Sequence, residues 1–152
     1  MSRPKTIERL LHIREIEEEQ KRLQLDAALA NLESLERTRD AAAEMGRQGR
    51  TLVGESVISG VIADRQAGLM ETEIARRCAR LLALRIASAQ KEVIERRRDF
   101  IDKRIERRQA ETLMEQDETR EKLESGRRSQ RSVDDWYGAR THRRGGDDQG
   151  QG

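Results

Sequence analysis

One cysteine, one proline and three aromatic side chains among 152 residues limit what this chain can be. The lone Cys78, between Ala75 and Leu81, excludes an intrachain disulfide and any redox pair, and reads as a small residue in a helix seam. Aromatics make up 2% of the chain and all apolar residues 34%, too little bulk to fill an enclosed core. A thin apolar seam is all that such a composition supports. No window approaches the roughly 18 apolar residues of a membrane span, and Met1 to Leu11 lacks the apolar centre of a signal peptide, so a cytoplasmic protein is expected. Charge of one sign is missing too. Lys and Arg number 31 against 29 Asp and Glu, and the two sets interleave, unlike the clustered cations of a phosphate reader. Nucleic acid is therefore not an expected partner; a chain that did read it would bind polyanions with steep salt dependence.

What is present is helix. From Lys5 to about Met45 there is no Pro or Gly, and Ile7, Leu10, Leu11, Ile13 and Ile16, then Leu25, Ala28, Leu29, Leu32 and Leu35, recur at helical spacings. The first helix is expected over about 5–46, with Pro4 in its first turn, where a missing N–H is harmless. Gly46, Gly49, Gly54 and Gly60 each cost up to about 1 kcal/mol in a helix interior, which predicts a break over about 46–60, as a loop or a short strand. A second helix is expected over about 60–132. In it Ala79, Ile86, Val93 and Phe100 stand seven apart, flanked by Leu82, Ala89, Ile94, Ile101 and Ile105. Glu17, Glu18, Glu92, Glu118 and Glu124 each precede a base by four residues, in the orientation that supports helix. The Gly-rich end, 141–152, is expected to be disordered.

Two striped helices of unequal length around a glycine break predict an all-α fold. It is a two-helix antiparallel coiled-coil hairpin over 1–140, with a longer second helix that overhangs. If the turn centres near Leu52 and Val53, Lys5 lies opposite roughly Phe100, and the remaining helix, polar on nearly every side, is a lever or a docking rod. Such a rod has no walled pocket, so no enzymatic activity, small-molecule substrate, cofactor or metal is expected. His12 with Glu8 or Glu15 reads as surface charge, and the glycines match neither phosphate-binding pattern. Two clusters are candidate partner-binding sites. Leu52, Val57, Ile58, Val61 and Ile62 form an apolar tip that fits a partner's groove or merely closes the hairpin. Asp134, Asp135, Trp136 and Tyr137 hold the only Trp and Tyr, as a binding anchor or as a staple packed back on the helix.

The opening Ile7, Leu10, Leu11, Arg14, Glu15 and Glu17 to Glu19, the glycine-bearing break, Arg107, Arg108, Gln109 and Glu111, and above all Arg127, Arg128, Gln130, Val133, Asp134, Asp135 and Trp136, resemble the FliJ family of flagellar export proteins and their YscO-type injectisome relatives. The resemblance covers about 5–140, and the chain departs from the family in its Gly-rich tail and its non-aromatic tip. It implies a stalk-like coiled coil that links the hexameric export ATPase to the membrane export gate and escorts export chaperones. Its place would be cytoplasmic, peripheral to the inner-membrane export apparatus. The other reading is a generic coiled-coil scaffold in which the overhang pairs with a second copy.

Overall fold

The computed structural model describes residues 3–147, with side chains described over 5–145. Two helices account for nearly all of it: α1, Arg3–Ser59, of 57 residues, and α2, Ile62–Asp147, of 86 residues. They pack against each other, and the described residues contain no strand. Where one domain over 1–140 was expected, the packing divides the chain into two units, Glu15–Ile105 and Met1–Arg14 with Glu106–Gly152.

In the Glu15–Ile105 unit the seam follows a heptad. On α1 Ala28, Ala42, Gly49 and Ser56 are buried at multiples of seven, with Leu35 half-buried between them. On α2 Gly68, Ala75, Leu82 and Ala89 stand seven apart and are buried, as are Ile86 and Val93. The large side chains gather in two clusters. Leu25, Ala28 and Val93 pack with Leu32 and Phe100, while Ala42, Leu82 and Ile86 pack with Leu32, Leu35 and Cys78. Phe100 thus belongs beside Leu25 and Ala28, not level with Lys5 as a turn at Leu52 and Val53 required.

Towards the link between the helices the seam becomes small, and here the expected break over 46–60 is corrected. α1 runs unbroken through Gly46, Gly49 and Gly54, and no strand forms. Gly49 and Gly68 face each other so closely that a Cβ on Gly49 would stand 2.8 Å from the Gly68 carbonyl oxygen. A Cβ on Gly68 would meet the Gly49 oxygen at 2.6 Å. Two helices that approach to backbone contact gain dispersion energy along their whole facing surfaces. That gain offsets the conformational cost of the glycines, so a composition that reads as a breaker in isolation is here a packing surface.

The chain reverses only at Gly60 and Val61. Gly60 has φ +72°, and its N–H donates to the Ser56 carbonyl at 2.9 Å, the left-handed cap that ends many helices. The Val61 N–H donates to Ser59 Oγ at 3.4 Å, and Asp64 puts a carboxylate in the first turn of α2, where the helix dipole favours it. Gly60→Ala should lower stability by about 1 kcal/mol, the cost of a Cβ in the left-handed region, read as a fall in the urea midpoint with unchanged m-value.

At the other end a second expectation is corrected. α2 does not stop near 132 but stays helical to Asp147, taking in most of the stretch expected to be disordered; 148–152 lie outside the described residues. Arg144 in the last turn complements the negative end of the helix dipole, and Gln130 Nε2 donates to Asp134 Oδ1 at 3.0 Å across one turn. Every residue from Glu118 to Gly145 is exposed, a stretch of about 40 Å at ~1.5 Å per residue.

Candidate interaction surfaces

The link between the helices leaves its aliphatic side chains uncovered. Val57 is 74% exposed, Ile58 91% and Ile62 72%, with Val61 exposed as well. Only Leu52 of this predicted group turns partly inward, at half-burial, so the structure brings four of the five together as an open apolar patch. Leu52 instead borders a shallow polar groove with Glu44, Arg47, Gln48, Thr51, Glu55 and Glu71. Ser56, buried, satisfies its own hydroxyl by donating to the Val53 carbonyl at 2.6 Å.

The second predicted group lies on the exposed part of α2. Trp136 and Tyr137, both more than half exposed, meet edge to face with ring centroids 5.0 Å apart. The Arg140 guanidinium sits 5.1 Å from the centre of the Trp136 ring, one helical turn on, in a cation–π contact. Asp134 and Asp135 directly precede the pair, and Asp134 accepts from Gln130. Trp, Tyr and Arg are the side chains that most often carry binding energy, and the sequence reading missed Arg140 although its place four residues after Trp136 puts it on the same face.

Charged side chains enter the seam where large apolar ones run out. In the Glu15–Ile105 unit Lys103 Nζ lies 3.6 Å from Glu17 Oε2, and in the other unit Arg14 donates to Glu106 Oε2 at 2.8 Å. Glu17 was expected to pair with Lys21 within its own helix, and Arg22 with Glu18. Arg22 instead holds Glu19, whose carboxyl is drawn below the usual carboxylate range by that hydrogen bond. Two expected pairs do form, Glu92 with Arg96 at 3.8 Å and Glu124 with Arg128 at 3.7 Å. Each is exposed and contributes a few tenths of a kcal/mol at most.

A further apolar surface escaped the sequence reading. Ile94, Ile101 and Ile105, expected in the seam, point outward with Leu81 and Leu84. Their exposure shows that α2 has apolar side chains on two opposite faces, a pattern whose trace in the sequence is the set of three- and four-residue steps from Leu81 to Leu84 and Ile101 to Ile105.

Among the described residues there is no group of three or more His, Cys, Asp or Glu placed to hold a metal, and His12 is exposed. The acidic groove lined by Ile7, Glu8, Met114, Asp117, Glu118 and Glu121 is shallow, and its buried Asp117 is already held by Arg120. No described helix is long and apolar enough to cross a membrane. No protein-family model, curated protein or solved structure matches this chain.

Proposed function

We propose that this chain is a non-enzymatic coiled-coil linker of FliJ type, which joins a hexameric protein-export ATPase to a membrane export gate and passes export chaperones between them. In this reading α1 and α2 form an antiparallel hairpin, the end of α2 overhangs it, and membrane association is indirect, through the gate. The order of the seam contacts supports the antiparallel sense. Gly49 meets Gly68, Ala42 meets Leu82 and Ile86, Leu25 and Ala28 meet Val93, and Glu17 meets Lys103, so positions on α1 fall as those on α2 rise.

The observation that carries the proposal is the exposed helix from Glu118 to Gly145 with Trp136, Tyr137 and Arg140 upon it. A helix with no cover, bearing the chain's only Trp and Tyr, suits insertion into the opening of a ring-shaped partner. Its charge pairs keep it helical before it docks. Work is then transmitted by a rigid rod rather than by chemistry at a pocket.

The test is co-sedimentation of the full chain with purified flagellar export ATPase hexamer, and in parallel with an injectisome ATPase. Trp136→Ala should weaken binding about thirtyfold, the loss of a hot-spot side chain worth ~2 kcal/mol, while helicity and melting stay unchanged because the ring is exposed. Undiminished binding of the variant would retire the aromatic anchor. Failure of the unaltered chain to bind either ATPase, together with a stable dimer in sedimentation equilibrium, would favour the scaffold reading instead.

A further inference from the structure

Helix α2 is committed on one side only. Leu82, Ile86, Ala89 and Val93 are buried against α1. On the opposite side Ile74, Leu81, Leu84, Ile94, Ile101 and Ile105 remain between 46% and 73% exposed. Successive members are separated by three, four, seven or ten residues, and Ala87 divides the step of ten into three and seven, so they share the back of the helix in the supercoil frame. A monomeric surface rarely keeps so long an apolar row uncovered.

The row is laced with basic charge. Arg77, Leu84, Lys91, Arg98 and Ile105 stand seven apart down its middle, three cations with two aliphatic side chains, and Arg80 stands beside Leu81. Arg77 is held by Glu73, at 3.1 Å. Arg80, Lys91 and Arg98 make no ion pair among the described residues. Glu95 and Asp102 share the heptad position of Ile74 and Leu81 and so lie on this face, but Arg77, Arg80, Lys91 and Arg98 outnumber them there, and between Ile62 and Ile105 eleven Lys and Arg stand against seven Asp and Glu. The helix that covers the other face of α2 has the reverse balance: between Glu15 and Ser59, α1 carries ten acids and six bases.

We propose that the outward face of α2 from Ile74 to Ile105 is a docking site for an amphipathic, acid-rich helix of a partner protein, which packs there as the third helix of a coiled coil. Heptad spacing selects a helix, since only a helical partner returns a side chain to the row every three or four residues. The unpaired cations select an acidic one, as the acid-rich α1 does on the opposite face. The inference does not depend on the export reading, because it concerns Glu15–Ile105 and leaves the end of α2 unused.

The measurement is fluorescence anisotropy of the full chain against a labelled helical peptide of about four heptads, with Leu at its core positions and Glu at the flanking ones, and against a matched peptide with Lys in place of Glu. The Glu peptide should bind and weaken as salt is raised, and the Lys peptide should bind at least about tenfold more weakly. The double substitution Leu84→Gln with Ile94→Gln should cost the Glu peptide at least about tenfold in affinity and leave circular dichroism and melting unchanged, since both side chains lie outside the seam. Equal affinity for the two peptides, or full affinity in the double variant, overturns the proposal. So does a stable dimer of the chain that Leu84→Gln dissolves, which assigns the face to a second copy. Binding to phosphatidylglycerol vesicles without binding of the Glu peptide assigns it to a lipid surface, and likewise overturns it.

Discussion

Gly68→Ala should destabilise the protein by about 2 kcal/mol, in the range expected for overpacking, and lower its melting temperature by roughly 6 °C for a chain of this size. Alanine is the better helix former by up to ~1 kcal/mol, so propensity alone predicts the opposite sign. Sterics decide. The new Cβ would lie 2.6 Å from the Gly49 carbonyl oxygen and 3.0 Å from the Val53 nitrogen, backbone atoms that cannot rotate away. The helices must separate, and the loosened contacts extend to the neighbouring seam layers at Ala42 and Ala75. Gly54→Ala and Gly126→Ala supply the control, because a Cβ at either position meets nothing within 4 Å. Both should gain up to about 1 kcal/mol, the propensity difference. If all three changes stabilise alike in urea titrations, the close approach of Gly49 and Gly68 is wrong.

The same glycines show where sequence reasoning reached its limit. Element type was legible, because forty proline-free and glycine-free residues with apolar spacing leave no alternative to helix, and the packing of Leu25, Ala28, Leu32 and Leu35 follows from their steps of three and four, although Leu29 of the same stripe stays exposed. The extent of α1 was not legible. A glycine is read locally as a cost, whereas the facing Gly68 that turns Gly49 into a contact lies nineteen residues further along the chain. Only Gly60, with its positive φ, acts as a stop. Moving the turn from Leu52 to Gly60 shifts the pairing of every later residue, which is why Phe100 was misplaced along α1 although it lies in the seam with Ile86 and Val93 of its heptad row; Ala79, the fourth of that row, is exposed. Trp136 and Tyr137 were identifiable by rarity alone, but their contact with Arg140 needed helix beyond 132, where glycines and charge had suggested none.

Ile86→Ala and Leu84→Ala separate the two faces of α2. Ile86 is 7% exposed and packs with Ala42 and Leu82, so its truncation removes buried surface and leaves a void; the expected cost is about 2–3 kcal/mol, at the low end for core truncations because a thin seam can partly collapse. Leu84, two residues away and 73% exposed, has almost no transfer energy to lose and should change stability by less than about 0.5 kcal/mol. Their effects on docking should be reversed. Ile86→Ala leaves the outward row intact, so under conditions where the variant stays folded it should bind an acid-rich helical peptide with nearly unaltered affinity, whereas Leu84→Ala should weaken that binding severalfold. Opposite responses of melting and of peptide anisotropy would establish that α2 uses one face to fold and the other to bind. Parallel loss in both measurements for both variants would mean that the outward row belongs to the folding surface after all, and would remove the reason to seek a third helix.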